Sequence, residues 1–79
     1  GIGVIEGYRG MGIGEALMLA ALQKAKDNGL TRIELTVRES NSRAIALYKK
    51  LGFVAEGLHP NAVRIDMQYE NHISMGLLI

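Results

Sequence analysis

Four glycines fall within the nine residues from Glu6 to Gly14, and they rule out regular structure through most of that stretch. Whatever precedes it must therefore end, and whatever follows must start afresh. Ile2 to Ile5 is a short apolar stretch that suits the end of a strand. From about Ile13 to Asn28, the residues Ile13, Ala16, Leu17, Ala20, Ala21 and Ala25 recur at helical spacing, with Gln23, Lys24, Lys26 and Asp27 mostly opposite. Asn28-Gly29 stops that helix, because glycine takes the left-handed conformation that closes a helix C-terminus. Thr31 to Val37 then switches to period two, with Ile33, Leu35 and Val37 against Arg32, Glu34 and Thr36, which predicts a strand.

A second helix follows. Ser40 or Asn41 is suited to cap it, Ala44, Leu47, Tyr48 and Leu51 form its apolar face, and Gly52 ends it. Phe53-Val54-Ala55 starts another strand, and Gly57 to Asn61, which holds the only proline, is expected to turn. Two further extended runs, Val63 to Tyr69 and Ile73 to Ile79, flank an expected Glu70-Asn71-His72 turn. The predicted order is β-α-β-α-β-β-β, an α/β chain. Helical crossovers imply parallel pairing and short turns imply antiparallel pairing, so the expected architecture is a mixed parallel/antiparallel sheet flanked by helices. No internal repeat, low-complexity segment or linker interrupts it.

At 79 residues there is room for one small domain, which needs a staple, a partner or additional chain to be comfortably stable. No cysteine is present, so disulfides and thiolate metal sites are excluded, and two separated histidines do not make a zinc set. Nine Lys and Arg nearly cancel eight Asp and Glu, which argues against a general nucleic-acid surface. No apolar run approaches membrane-spanning length, and Gly1-Ile2-Gly3-Val4 lacks the basic start and long apolar core of a secretion signal. A cytoplasmic protein that meets small molecules and other protein chains is the default expectation. Gly1 in place of an initiator Met fits a processed or cut start.

Tyr8-Arg9-Gly10-Met11-Gly12-Ile13-Gly14 lies between a strand end and the start of an amphipathic helix. Glycines there let the backbone approach a ligand, and the N–H groups of the loop and first helical turn converge where the helix dipole is positive. A phosphate or pyrophosphate is the natural occupant, and Arg9 can add a charge-assisted bond. A glycine-rich stretch alone is equally well a flexible turn. The P-loop fits poorly, because Gly14 is followed by Glu15-Ala16 rather than Lys-Ser/Thr, and the Gly10-x-Gly12-x-Gly14 spacing departs from the dinucleotide fingerprint.

The run Arg9-Gly10-x-Gly12-x-Gly14, opening a helix after a strand, resembles the pyrophosphate-binding motif of the GNAT acetyltransferase superfamily. Asn41-Ser42-Arg43-Ala44-Ile45-Ala46-Leu47-Tyr48-Lys49-Lys50-Leu51-Gly52-Phe53 resembles the other signature of that superfamily: an Asn, an Ala three residues on, a Tyr seven on and a closing Gly-Phe. Read alone, Asn41 is a helix cap and Tyr48 a core aromatic. The final Gly52 to Gly57 segment, with Arg64, Asp66, Tyr69 and Met75-Gly76-Leu77-Leu78, is similar to the last strands of GNAT enzymes acting on protein N-termini, polyamines or other small primary amines. There, Met75, Leu77 and Ile79 read as core, Arg64, Asp66 and Glu70 as solvated charges, and His59 and His72 as exposed residues beside turns.

The resemblance implies an acetyl-CoA-dependent N-acetyltransferase that uses no metal and transfers acetyl directly to a primary amine. It implies cofactor contacts from Val4 and Ile5 on the strand, from Arg9, Gly10, Met11, Gly12, Ile13 and Gly14 in the cradle, and from Asn41, Arg43, Ala44 and Tyr48 on the second helix. It also implies that Tyr48 protonates the departing thiolate and that a backbone N–H near Val4 or Ile5 holds the oxyanion. Residues 1–79 correspond to the later, acetyl-CoA-binding part of that fold, without its first strands and helices, so a missing segment or a homodimer is expected to cover the sheet edge. Glu6, Glu34, Glu56 and His59 are candidate bases, and spacing selects none of them. The alternatives are a CoA-binding or regulatory module without chemistry, and a structural fragment indifferent to CoA.

Overall fold

The computed structural model describes residues 1–5 and 14–79. Six elements follow one another: strand β1 (Ile2–Ile5), helix α1 (Glu15–Asp27), strand β2 (Arg32–Arg38), helix α2 (Ser42–Lys50), and strands β3 (Val54–Ile65) and β4 (Gln68–Leu78). The four strands form one sheet in the order β1-β2-β4-β3. β1 and β2 pair in parallel from Ile2↔Arg32 to Ile5↔Leu35, as strands joined by a helix must, while β2–β4 and β4–β3 are antiparallel. The expected mixed sheet with flanking helices is therefore present.

The helices end as their glycines require. Gly29 has φ +82° and Gly52 φ +104°, conformations that cost a side-chain-bearing residue more than glycine. At each end the two residues after the cap bond backwards: Gly29 N–H to Lys26 O and Leu30 N–H to Ala25 O, then Gly52 N–H to Lys49 O and Phe53 N–H to Tyr48 O. The second of these places Phe53 against Tyr48, with ring centroids 5.8 Å apart and tilted by 60°.

The period-two pattern of β2 decides where the core sits. Ile33, Leu35 and Val37 are buried, together with Met18 of α1, Tyr48 of α2, Phe53 and Met75 of β4. Met75 lies opposite Leu35 in the β2–β4 register, and both helices pack on this one face. Burying each large side chain stabilises the fold by about 1.5–3 kcal/mol. The opposite face carries Arg32, Glu34 and Thr36 beside Leu78, Gly76 and Ser74.

Two sequence expectations are corrected. The buried face of α1 is Met18 with Leu22 and Ala25, whereas Ala16, Ala20 and Ala21 are exposed and Leu17 is 63% exposed. Ala16 to Leu22 is an unbroken apolar run, so periodicity has little contrast with which to choose a side. The three extended runs after Gly52 are two long strands. Residues Gly57 to Asn61 lie within β3, where Pro60 is tolerated because β3 pairs on one side only and the register shifts between His59 and Val63. The chain reverses instead at Asp66-Met67, with φ +48° and +66°, the two positive values of a tight two-residue hairpin turn. Glu70-Asn71-His72 is thus strand, and His59 and His72 are cross-strand partners rather than turn neighbours.

Met75, fully buried, and Met67, 82% exposed, form a matched test of this packing. Met75→Ala is expected to lower unfolding free energy by about 2–5 kcal/mol, and Met67→Ala by no more than about 0.5 kcal/mol, in urea titrations. Equal effects at the two sites would contradict the assigned core.

Candidate functional site

Two helix N-termini lie at the carboxyl ends of two neighbouring parallel strands: α1 begins after β1, and α2 begins after β2. In open α/β sheets this is where ligands collect. β2 continues three residues past Leu35, the partner of Ile5, so the two strands end at different heights.

Among the described residues, no side chain caps the start of α1. Gly14 occupies the cap position with extended backbone, φ −62° and ψ 156°, and makes no side-chain cap bond. Its carbonyl accepts from Met18 N–H at 3.1 Å, which begins the helical ladder and gives the N–H groups of the first turn no acceptor within the helix. Among the described residues, a Cβ at Gly14 would meet nothing within 4 Å. Arg9, Gly10, Met11, Gly12 and Ile13, the remainder of the sequence-derived cradle, lie outside the described residues, as does Glu6. Val4 and Ile5 are placed as the last pairs of β1, opposite Glu34 and Leu35.

The start of α2 is capped. Asn41 Oδ1 accepts from Ala44 N–H at 3.2 Å and Asn41 O accepts from Ile45 N–H at 3.1 Å, so the capping role read from sequence is realised. Arg43 is exposed and Ala44 is half-buried. Seven residues separate Asn41 from Tyr48, which amounts to about two turns and about 10 Å along one side of the helix. Tyr48 is 6% exposed, and burial raises its phenol pKa above the ordinary value. Lys50 Nζ meets Glu15 Oε2 at 3.1 Å, tying the last turn of α2 to the first turn of α1. The Tyr48-bearing end of α2 is therefore held beside the start of α1.

The candidate bases separate into groups that sequence spacing could not resolve. Glu34 and Glu56 converge on Arg32, whose Nε lies 3.2 Å from Glu34 Oε1 and whose Nη2 bonds Glu56. These bonds, that to Glu56 foremost, raise the guanidinium pKa further above its ordinary value. The cluster crosses β4 at Gly76, where a Cβ would come within 2.8 Å of Arg32 Cζ and 2.5 Å of Glu56 Oε1. A groove of about 140 Å³ opens beside it among Glu34, Thr36, Glu56 and Ser74. Period two placed Arg32, Glu34 and Thr36 together, but the arrival of Glu56 depends on the β4–β3 register and had no local signal. Glu70, read as a solvated charge, pairs with Arg38 at 3.7 Å and accepts from Ser40 Oγ. His59 is exposed, and no group of three or more His, Cys, Asp or Glu side chains among the described residues could hold a metal.

Comparison with known proteins fits this geometry. Over 53 residues the chain is 51% identical to an N-alpha-acetyltransferase of Sulfurisphaera tokodaii, covering 66% of this chain and 32% of that protein. Over 68 residues it is 40% identical to a mycothiol acetyltransferase of Saccharomonospora viridis, covering 86% and 20%. The crystal structure of the ribosomal-protein-S18-alanine N-acetyltransferase of Escherichia coli superposes with a TM-score of 0.80 at 35% identity, over 91% of this chain and 46% of that one. The chain thus spans about a fifth to a third of these two curated relatives and under half of that solved structure. Residues 1–53, which contain both helix N-termini and Tyr48, match the acetyltransferase (GNAT) family, and the chain belongs to that family.

Proposed function

We propose that this chain forms the acetyl-CoA-binding part of an N-acetyltransferase domain that transfers acetyl directly from acetyl-CoA to a primary amine. The observation that carries the reading is the N-terminus of α1, which begins at a glycine after β1 and is tied to the Tyr48 end of α2, in a chain of this family. The N–H groups of a first helical turn and its positive dipole end suit the pyrophosphate of coenzyme A. In this reading Arg9, Gly10, Met11, Gly12, Ile13 and Gly14 cradle the pyrophosphate, and Asn41, Arg43 and Ala44 line the cofactor arm. Val4 and Ile5 border the thioester.

The amine must lose a proton before it attacks, because its reference pKa is about 8 for an α-amine and about 10.4 for a lysine-like group. Glu34 and Glu56 each have one carboxylate oxygen engaged by Arg32. Proton removal needs a base or a water chain, with Glu6, Glu34, Glu56 and His59 as the candidate groups. The amine nitrogen bonds to the carbonyl carbon, a backbone N–H near Val4 or Ile5 holds the oxyanion, and the C–S bond then breaks. Tyr48, a phenol protonated at neutral pH as an ordinary tyrosine is, gives its hydroxyl proton to the departing sulfur. The proposed acceptor class is a small primary amine, a polyamine or a protein N-terminus, and the two relatives carry the names mycothiol acetyltransferase and N-alpha-acetyltransferase. The reading also takes the protein as cytoplasmic. It takes the outer edge of β1 as covered by further polypeptide of the same domain or by a second copy, since an open strand edge invites pairing.

Calorimetric titration with acetyl-CoA is expected to show binding that a Gly12→Glu variant loses; a folded parent that binds nothing would overturn the cofactor assignment. In an active enzyme containing this chain, Tyr48→Phe should retain acetyl-CoA binding and lower turnover by about 10²-fold. Turnover should depend on Tyr48 without loss up to pH about 10, because a donor with a raised pKa is lost only as pH climbs through that value. Unchanged turnover in Tyr48→Phe would remove Tyr48 from the chemistry.

A further inference from the structure

The turn between β2 and α2 is fastened from outside by the hairpin. β2 pairs with β4 as far as Arg38↔His72, and one residue further on the backbone bond continues, with Glu39 N–H donating to Asn71 O at 2.9 Å. The Asn71 side chain then bridges two segments. Its Nδ2 donates to Glu39 Oε1 at 3.2 Å, and its Oδ1 accepts from the backbone N–H of Asn61 at 3.0 Å. Asn61 sits at the irregularity in β3, with φ +52°. Beside it Glu70 takes a bond from Ser40 Oγ and an ion pair from Arg38. Residues 38, 39 and 40 are all held to β4, and the next residue is Asn41, which caps α2 through Ala44 N–H and accepts Ile45 N–H.

We propose that Asn71 is a positioning residue for the cofactor end of α2, fastening the Glu39-Ser40 turn to the bulge of β3 so that the placement of Asn41 depends on the β3–β4 hairpin. Asparagine is suited to this place because one side chain must donate to a carboxylate and accept from a backbone N–H at once. Aspartate matches its shape but cannot donate, and it sets a second carboxylate against Glu39. The functional consequence rests on the cofactor reading of α2 given above, while the positioning itself does not.

The test compares Asn71→Asp with the double variant Asn71→Asp/Glu39→Gln, in which the introduced glutamine amide supplies the donor and the bridge re-forms with reversed polarity. Without ligand, amide hydrogen exchange at Ala44, which reports the Asn41 cap, is expected to speed up about fivefold in Asn71→Asp and to return towards the parent rate in the double variant. Exchange at Leu35, in the centre of β2, should stay unchanged. Coenzyme A affinity, measured on the same proteins, should fall by a similar factor and recover likewise. Unchanged exchange at Ala44 overturns the proposal, as does an equal change at Leu35, which would signify general destabilisation. If Ala44 responds and recovers while coenzyme A affinity stays constant, the positioning stands and the cofactor role of α2 is refuted instead.

Discussion

Burial of one face of β2 is the constraint on which the other elements depend. Ile33, Leu35 and Val37 point to the same side, and α1, α2 and Met75 of β4 are drawn to that side to cover them. Because β2 pairs with β1 on one flank and β4 on the other, a one-residue slip would turn three apolar side chains outward together. The same pairing ends β1 three residues short of β2, and the start of α1 lies beside the end of α2, where Glu15 meets Lys50. The candidate site is a by-product of how the core is closed.

The two helix starts are built differently. α1 begins at a glycine with no side chain to offer, whereas α2 begins at Asn41, whose side chain satisfies one of its own donors. At the other end of α2, the glycine-terminated turn lays Phe53 on Tyr48, so that the phenol is buried and oriented by the same bonds that end the helix. Lys50 then joins this end to Glu15 at the start of α1.

The sheet face turned away from the helices is held by charge. Arg32 reaches Glu34 on its own strand and Glu56 two strands away, and it can do so only because Gly76 leaves the intervening strand without a side chain there. The pairs are exposed, so each contributes modestly to stability. They also fix which carboxylates Arg32 engages.

Much of this was legible in the residues alone, and the limits follow from range. Gly29, Gly52, the cap at Asn41, the alternation of β2 and the mixed sheet were all readable, because each depends on residues within a turn or two of chain. The buried side of α1 was not, since Ala16 to Leu22 offers apolar groups all round and only the position of the sheet selects Met18. Nor was the hairpin: Asp66-Met67 lacks the glycine that marks such a turn, and Pro60 reads as a break unless the strand is known to lie at an edge. The sequence by itself determined the two motifs and the order in which strands and helices alternate. Tertiary structure alone decided the meeting of Arg32 with Glu56, of Asn71 with Glu39 and Asn61, and of Lys50 with Glu15. These contacts join residues 10 to 35 positions apart, and their geometry is set by strand register and helix docking that no local pattern encodes.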